Sequence, residues 1–259
     1  MLAHKRKELI KEMVDKYRIV RVSDLSERFQ LSDVTIRRDL KELEEAGLLK
    51  RTHGGAIKIT NAALDPSLVD LETIRVKEKM LIAREAYQQI RDNDAIIIDA
   101  SSTVAYLPTL LKNGDKKNIT LVTNSFRAVM DLIDCENVEV IHIGGQVRRK
   151  LQSSIGPIAE TSLRSLIVDK AFLGCNGVDF RCGFTTTNLY EGQIKRLMMQ
   201  SATEIYMLAD SSKFHQSFIS VVAPIDQVDY LITDSGVDQE SIAESEKAGI
   251  HLIVAGQNR

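Results

Sequence analysis

The chain has 259 residues, of which 44% are hydrophobic and 27% are charged. This composition is typical of a globular protein with sizeable cores, and it excludes an intrinsically disordered chain. The longest apolar runs, such as residues 95–98 and 220–223, are far shorter than the ~18 residues of a membrane span. Charged residues follow Met1 almost at once, with no apolar stretch behind them. This pattern argues against a secretory signal, so we expect a cytoplasmic protein.

Charge is distributed unevenly along the chain, although the formal net charge is only −2. Residues 1–60 hold 14 Lys and Arg against 10 Asp and Glu, whereas the remaining residues hold 20 against 26. A basic head on an acidic body indicates that one end meets a polyanion, although such an asymmetry also arises by chance.

The three cysteines, Cys135, Cys175 and Cys182, form no CxxC pair, and no histidine lies at ligand spacing from them. They are therefore predicted to be free thiols in a reducing compartment. A zinc site cannot be assembled from such a set, and the sequence predicts neither a metal nor a cofactor.

The first sixty residues contain three helical patterns, because their apolar residues recur at roughly helical spacing. Two of these helices are short and are joined by a turn of a few residues, which is typical of a helix-turn-helix. The expected pieces are a helix over 3–17, an extended segment at 19–22, a helix over 24–30 capped by Ser23, and a helix capped by Ser32 that runs to about 46 and ends at Gly47.

The third helix combines an apolar face with hydroxyl-bearing and cationic side chains in its first two turns. Reading of the major groove and contact with phosphates require such side chains near the start of a second helix. An ordinary solvated face that carries Arg37 and Arg38 is the alternative. The residues assigned to a three-helix core are Val34, Ile36, Leu40, Leu43 and Leu48, and the polar ones are Ser32, Asp33, Thr35, Arg37, Arg38 and Lys41.

Residues 48–58 predict two short strands around a tip formed by Gly54 and Gly55. Glycines at this tip permit positive φ and let the backbone approach a phosphate closely. The basic residues around the tip are Lys50, Arg51 and His53. A basic β-wing beside a helix-turn-helix makes a winged helix, with the wing on the sugar-phosphate backbone or in the minor groove.

These motifs closely resemble the signature of the DeoR family of bacterial transcription regulators. The resemblance is carried without gaps by residues 32–40, 47–49 and 51–56, together with Leu43. It implies binding of double-stranded operator DNA, with Thr35, Arg37 and Arg38 contacting DNA and Asp39 orienting an arginine. The predicted DNA-binding residues are Ser32, Thr35, Arg37, Arg38, Arg51, His53, Gly54 and Gly55.

The chain is predicted to divide into a winged-helix domain at 1–58, a linker at 59–70, and a sensor and oligomerisation domain at 71–259. The linker is assigned because residues 59–68 lack sustained periodicity and include one of only four prolines.

From residue 71 onward, helical and strand patterns alternate, which predicts an α/β domain with a mostly parallel sheet covered by helices on both faces. A charged helix at 71–90 comes first, with Ile74, Met80, Leu81, Ala83 and Ala86 as buried candidates. Strands are predicted at 95–99, 119–123, 138–143, 170–173, 204–209, 230–233 and 251–254, and helices at 104–112, 125–133, 158–165, 188–201 and 239–248.

Polar clusters follow the predicted strands, where open α/β sheets bind their ligands. Each has a plain alternative, because hydroxyls cap helices, glycines turn chains, and Glu191 with Lys195 forms an ordinary helix-surface pair. Together they favour a polar pocket with an anion end and a hydroxyl-reading end. The clusters are 99–103, 123–125, Gly144 and Gly145 with Arg148 and Arg149, 174–177, Glu191 with Lys195, and 210–214.

The same segments resemble the sensor domain of the DeoR family, whose fold is related to ribose-5-phosphate isomerase, and the whole resemblance spans about residues 3–235. Two positions depart from the family pattern. Ser101 replaces a phosphate-loop glycine, and Asn176 replaces an aspartate. Because an amide cannot act as a general base, Asn176 favours a binding pocket over a catalytic one.

The leading hypothesis is a repressor of a carbohydrate-catabolism operon that a phosphorylated sugar releases from its operator. Ser102, Thr103 and Lys213 are expected to hold the phosphate. Lys79 is a weaker candidate, which rests on a lysine that the family often carries there. Asp99, Asn124, Glu191 and Asp210 are expected to read sugar hydroxyls, and Ser101, Gly144, Gly145, Asn176 and Lys195 complete the predicted effector site.

A homodimer or homotetramer is expected, because one winged helix binds weakly and two linked half-sites raise both affinity and specificity. The alternative from another class is a sugar-phosphate isomerase with an accessory DNA-binding head, against which Asn176 and the intact wing count. A transcriptional activator of the same family differs only in where its operator lies relative to the promoter.

Overall fold

The computed structural model describes residues 3–17, 19–45, 48–52, 54–57, 68–72 and 74–256. The chain divides into two compact units, Met1–Asn61 and Ala62–Arg259. Most of the predicted linker, residues 59–67, lies outside the described residues, and so does His53 of the predicted wing.

The first unit is a winged helix, as the sequence predicts. Its small antiparallel sheet has the order β1-β3-β2, and its core is a compact apolar cluster that includes Ile10, Leu25, Ile36 and Leu40. Its elements are α1 (Ala3–Tyr17), β1 (Ile19–Arg21), α2 (Val22–Phe29), α3 (Asp33–Glu45), β2 (Lys50–Thr52) and β3 (Gly55–Ile57).

Three predictions about the first unit are wrong in detail. Helix α2 begins at Val22 without a side-chain cap, and the Ser23 hydroxyl inside it donates to Asp24. Val34 and Leu48 were assigned to the core, but Val34 is 77% exposed and Leu48 is 41% exposed. The inward face of α3 is set by Ile36, Leu40 and Leu43 at helical spacing, and a position two residues before Ile36 lies on the opposite side of the helix.

Gly54 and Gly55 have different roles from those that the turn pattern predicts, and neither has a positive φ. A Cβ on Gly55 would lie 1.9 Å from the Val20 carbonyl oxygen, whereas a Cβ on Gly54 would meet nothing within 4 Å. Glycine at position 55 is therefore required because β3 packs directly against β1.

The second unit is built on a seven-stranded parallel sheet with the order β15-β14-β12-β9-β4-β5-β6. The fold class predicted from the sequence is confirmed. Its elements are α4 (Leu68–Glu72), α5 (Val76–Gln88), β4 (Ala95–Ile98), α6 (Leu107–Asn113), β5 (Ile119–Thr123), α7 (Phe126–Leu132), β6 (Val138–His142), β7 (Gln146–Arg148), β8 (Ser153–Ile155), α8 (Pro157–Leu163), β9 (Val168–Gly174), β10 (Gly177–Asp179), β11 (Gly183–Thr186), α9 (Leu189–Gln200), β12 (Ala202–Leu208), β13 (Ser220–Ala223), β14 (Tyr230–Asp234), α10 (Gln239–Ala248) and β15 (His251–Ala255).

Each face of the large sheet carries its own apolar core. In β4, Ile96 and Ile98 join the cluster that contains residues of α5, α6 and α7, whereas Ile97 joins the cluster with residues of α8 and α9. Alternate side chains of a strand point to opposite faces. The uninterrupted isoleucines of β4 therefore fill both cores.

The chain order of the strands reverses between β4 and β9. Strands β5 and β6 extend the sheet on one side of β4, and the chain then returns to β9 on the other side, followed by β12, β14 and β15. Such a switch point leaves a crevice at the carboxyl ends of the two central strands. The loops after β4 and β9 therefore lie at this crevice.

Short antiparallel pieces were not predicted. Strands β7 and β8 form a hairpin, and β10, β11 and β13 form a small separate sheet. The helix predicted over 71–90 is found only over Val76–Gln88 as α5, because α4 is a separate helix and Arg75 between them has a φ of 53°. Of its predicted buried residues, Ala83 and Ala86 are buried, whereas Ile74, Met80 and Leu81 are exposed.

Among the described residues, no helix is both long and apolar enough to cross a membrane.

Candidate functional site

The start of recognition helix α3 is held by local hydrogen bonds. The Thr35 backbone N–H donates to Ser32 Oγ at 3.4 Å, and the hydroxyls of these two residues lie 3.0 Å apart. Asp33 accepts a 2.7 Å hydrogen bond from the Ser26 hydroxyl of α2. The predicted cap at Ser32 is therefore confirmed, and the first turn of α3 is fixed against α2.

The arginines of α3 lie on its outer surface. Arg37 and Arg38 are exposed, and Arg38 Nε donates to Glu42 Oε1 at 3.2 Å. In the wing, the Arg51 backbone N–H donates to Glu44 Oε1 at 2.8 Å, which ties β2 to α3. Exposed arginines on a helix beside a wing supply cations of the kind that contact a DNA backbone.

Asp39 orients an arginine of another helix. Its two carboxylate oxygens accept hydrogen bonds of 2.6 and 3.0 Å from Arg6 of α1, and both residues are buried. This hydrogen bond raises the pKa of the Arg6 guanidinium. The bidentate pair joins α1 to the recognition helix and keeps the Asp39 charge away from the outer surface of α3.

The crevice at the switch point contains a partly open cavity, which we call the switch-point cavity. Most of its lining comes from the loops after β4 and β9 and from α9. The predicted effector residues that line it are Ser101, Ser102, Thr103, Asn176, Glu191, Lys195 and Lys213. A smaller neighbouring cavity shares Glu191 and Lys195 with it, and Asp99 and Asn124 also line this second space.

Asp99 and Lys195 form a buried ion pair at the meeting point of the two cavities. Asp99 also accepts from the backbone N–H groups of Ser101 at 3.0 Å and Gly174 at 3.2 Å. Lys195 donates in addition to the Gly174 carbonyl at 2.8 Å. Because their charges compensate each other, this pair joins the ends of β4 and β9 to α9 without adding net charge to the cavity.

Glu191 belongs to a second buried network. It pairs with Arg148 of the β7–β8 hairpin. The Thr186 hydroxyl donates to Asn176 Oδ1 at 2.7 Å and lies 3.3 Å from Glu191 Oε2. The alternative in which Glu191 and Lys195 form an ordinary helix-surface pair is therefore wrong, since each is buried and each pairs with another element.

Two lysines line the switch-point cavity, and they differ in their contacts: Lys195 pairs with Asp99, whereas Lys213 contacts no carboxylate of the described residues. Within the described part of the chain, its ammonium group makes no hydrogen bond or ion pair. The backbone N–H groups of Ser102 and Thr103 likewise have no acceptor among the described residues. Unpaired N–H groups and an ammonium on one cavity provide the donors that an anion requires.

Two polar atoms near the Asp99–Lys195 pair are buried without a partner. Asn124 Nδ2 donates to the Ser154 carbonyl at 2.9 Å, but among the described residues its Oδ1 has no donor and Ser101 Oγ has no partner. Buried polar atoms in native proteins almost always have partners. These two atoms therefore have unused hydrogen-bonding capacity beside the cavities.

Four predicted effector residues do not line either cavity. Lys79 is buried, donates to the Leu71 carbonyl, and has its pKa lowered by burial and by the nearby Lys213. Asp210 is 1% exposed, and it caps the turn that carries Lys213 and pairs with Arg75. Gly144 and Gly145 lie in the turn between β6 and β7, outside both linings.

Two family models match the chain. A DeoR-like helix-turn-helix domain matches residues 6–62, and a DeoR C-terminal sensor domain matches residues 74–235. The chain belongs to the DeoR family. Like its family relatives, which are named as transcriptional regulators and repressors, it is a DNA-binding transcriptional regulator and not an enzyme.

Curated DeoR-family relatives align over almost their whole length. The HTH-type transcriptional regulator YulB of Bacillus subtilis is 38% identical over 93% of this chain and 93% of its own length. The lactose phosphotransferase system repressor of Lactococcus lactis is 32% identical over 92% of this chain and 95% of its own. Among solved structures, a D-ribose-5-phosphate isomerase in complex with phospho-erythronic acid aligns at 20% identity with a TM-score of 0.40, over 54% of each chain. This likeness is too distant to carry an argument about function.

The structure adds residues to the cavity of this DeoR-family protein that were not assigned to the effector site. Gly174 and Cys175 belong to the predicted cluster 174–177, whereas Leu71, Leu151 and Thr187 belong to none of the predicted clusters. Arg148, which pairs with Glu191, belongs to the predicted cluster at Gly144 and Gly145 but was not assigned to the effector site. Leu71 and Leu151 carried no sequence signal, since each lies far along the chain from the other lining residues.

Proposed function

We propose that this DeoR-family regulator represses a carbohydrate-catabolism operon and leaves its operator when a phosphorylated sugar binds in the switch-point cavity. The observation that carries the proposal is a shared lining of one cavity by the Lys213 ammonium and the N–H groups of Ser102 and Thr103, none of which has a partner within the described ranges. The relative named as a lactose phosphotransferase system repressor supports a carbohydrate pathway.

The anion end of the proposed site is formed by Ser102, Thr103 and Lys213. A phosphate accepts several hydrogen bonds at once and is stabilised by backbone N–H donors at the start of a helix. A short helical turn begins at Val104 directly after these two residues, and it continues into α6. The Lys213 ammonium and the N–H groups of Ser102 and Thr103 would therefore donate to the same phosphate from different parts of the chain.

The hydroxyl-reading end of the proposed site is formed by Asn124, Asn176 and Glu191, together with Ser101. The Asn176 and Glu191 side chains have fixed positions, because Thr186 donates to Asn176 and Arg148 pairs with Glu191. Hydrogen bonds from sugar hydroxyls would satisfy the unpartnered Asn124 Oδ1 and Ser101 Oγ.

Helix α4 is the proposed link between occupancy and DNA release. Leu71 of α4 lines the cavity, its carbonyl is held by Lys79, and the Leu68 backbone N–H donates to the Lys150 carbonyl at 2.8 Å. Helix α4 is the first described element after residues 58–67, which lead from the winged helix. A ligand that moves Leu71 would therefore act on the segment that leads to the DNA-binding unit.

A thermal-shift experiment tests the ligand class. The full chain would be heated with pentose and hexose phosphates, with the matching free sugars, and with inorganic phosphate. We expect stabilisation by one sugar phosphate and none by its free sugar, since a ligand at 100 times its Kd adds about 2.7 kcal/mol. If a free sugar stabilises as well as its phosphate, the anion end is assigned wrongly.

Two variants separate sensing from transmission. Lys213→Ala should keep operator affinity but lose both the thermal shift and effector-driven release, whereas the exposed Lys247→Ala serves as the matched control and should behave as the unmodified protein. Leu71→Ala should keep the thermal shift and weaken release. Normal release by Lys213→Ala in an anisotropy assay would refute the phosphate assignment.

We also propose a cytoplasmic homodimer or homotetramer, because linked half-sites multiply affinity. Sedimentation at micromolar concentration that shows only monomers would refute this state.

A further inference from the structure

We infer that Val34 is a specificity-determining residue that recognises the 5-methyl group of a thymine in the major groove of the operator. This inference goes beyond DNA binding itself, and it does not depend on the effector. It starts from a side chain that the apolar pattern assigns to the core and that the structure leaves 77% exposed.

The position of Val34 makes its exposure informative. It is the second residue of α3, and the N-terminal residues of a recognition helix are the ones that reach base edges. The other apolar residues of α3 at positions 36, 40 and 43 are all buried in the winged-helix core. Val34 is therefore the apolar residue that α3 presents outward.

The polar side chains around Val34 are engaged within the fold. Ser32 and Thr35 are bonded to each other, and Asp33 accepts from Ser26. These contacts fix the backbone of the first turn, so the two γ-methyl groups of Val34 have a defined position. A β-branched side chain also has few rotamers in a helix, and little conformational entropy is lost on contact.

The chemistry of the major groove allows one partner for such a group. Each base edge there presents hydrogen-bond donors and acceptors, and the single apolar group is the thymine C5-methyl. A valine offers no hydrogen bond, and it would leave the polar edge of a guanine or cytosine unsatisfied. Contact between methyl groups removes apolar surface from water and favours a T·A pair at the contacted position.

The test removes one methyl group from the DNA. Operators would first be selected from a random duplex library with the full chain. Single thymines would then be replaced by deoxyuridine, which differs only in lacking the 5-methyl group, and affinities would be measured by fluorescence anisotropy. We expect one position in each half-site at which deoxyuridine weakens binding about fourfold, the effect of about one buried methyl group.

The matching protein variants locate the contact. Val34→Ala should bind the thymine and deoxyuridine duplexes equally, and Val34→Ile should retain the discrimination. Leu48→Ala, which truncates another exposed apolar residue of the same unit, is the matched control and should also retain it. The Val34→Ala change should leave the thermal transition unchanged, since the side chain is exposed and alanine has the higher helix propensity.

Two results would overturn the inference. Either the unmodified protein shows no position at which deoxyuridine weakens binding, or Val34→Ala keeps the same discrimination as the unmodified protein.

Discussion

Ser101 occupies the space that a side chain on Gly174 would fill. A Cβ built on Gly174 would lie 2.2 Å from Ser101 Oγ and 2.6 Å from Ser101 Cβ. Rotation of the hydroxyl cannot relieve the second contact, because Cβ is fixed to the backbone. The serine that departs from the family's phosphate-loop glycine is therefore accommodated by a glycine at the end of the neighbouring strand β9.

This pairing predicts a rescue. Gly174→Ala should destabilise the second unit by about 1–3 kcal/mol, the usual range for overpacking, and the added Ser101→Gly change should restore most of the loss. Thermal unfolding of the single and double variants measures both effects. Gly144→Ala is the matched control, because a Cβ there meets nothing within 4 Å. A double variant no more stable than Gly174→Ala alone would contradict the pairing.

Substitution of the two wing glycines by alanine should have different effects on hydrogen exchange and on operator affinity. Gly55→Ala places a Cβ 1.9 Å from the Val20 carbonyl oxygen, so β3 must move away from β1 and operator affinity should fall. Hydrogen exchange should accelerate in β1 and β3, since local opening becomes easier. Gly54→Ala has open space and should leave exchange unchanged. Equal exchange in the two variants would show that the sheet does not need the close approach.

Replacement of only one partner of the Arg6–Asp39 pair should lower the free energy of unfolding strongly. Asp39→Ala leaves the buried Arg6 guanidinium without its bidentate acceptor, and loss of one partner of a buried pair costs about 3 kcal/mol. Replacement of both residues, by Arg6→Met with Asp39→Leu, should recover most of the stability. Hydrogen exchange of α1 and α3 in the full chain reports the change, and equal destabilisation by the single and double variants would argue against the pair.

Cys175 should resist alkylation at neutral pH. Burial raises the pKa of its thiol to about 12, so at pH 8 only about one thiol in ten thousand is the reactive thiolate. The exposed Cys182 should be modified by iodoacetamide first, as mass spectrometry of peptides would show. The rate at Cys175 should rise about tenfold per pH unit below 12, and a rate independent of pH would contradict the raised pKa.

The local elements of this protein were predictable because their signals are local. The recognition helix begins after a cap at Ser32, as the sequence predicts. The isoleucines of β4 identify a strand that is buried on both faces. The predictions failed where the helical phase of an apolar residue was ambiguous or where a strand was very short. Val34 was placed on the wrong side of α3, and the strands β7, β8, β10, β11 and β13 are too short to stand out from turns.

The candidate site was predictable only as a set of polar clusters. Its polar residues follow strands, and strand ends of a parallel sheet meet at one edge. The sequence could not indicate that Lys195 compensates Asp99, that Arg148 compensates Glu191, or that the Lys213 ammonium has no partner in the part of the chain that the structure describes. Such pairings depend on which strands become neighbours.

The sequence by itself determined the family, the winged helix, the alternation that makes a parallel sheet, and the residue types at the strand ends. Periodicity, caps and motif spacing depend only on residues that are close together in the chain, so the sequence shows them directly. Tertiary structure alone decided that β4 and β9 lie side by side, which brings Ser101 against Gly174 and Asp99 against Lys195. The free energies of burial and ion pairing belong to residues far apart in the chain, and they exist only once the sheet has formed.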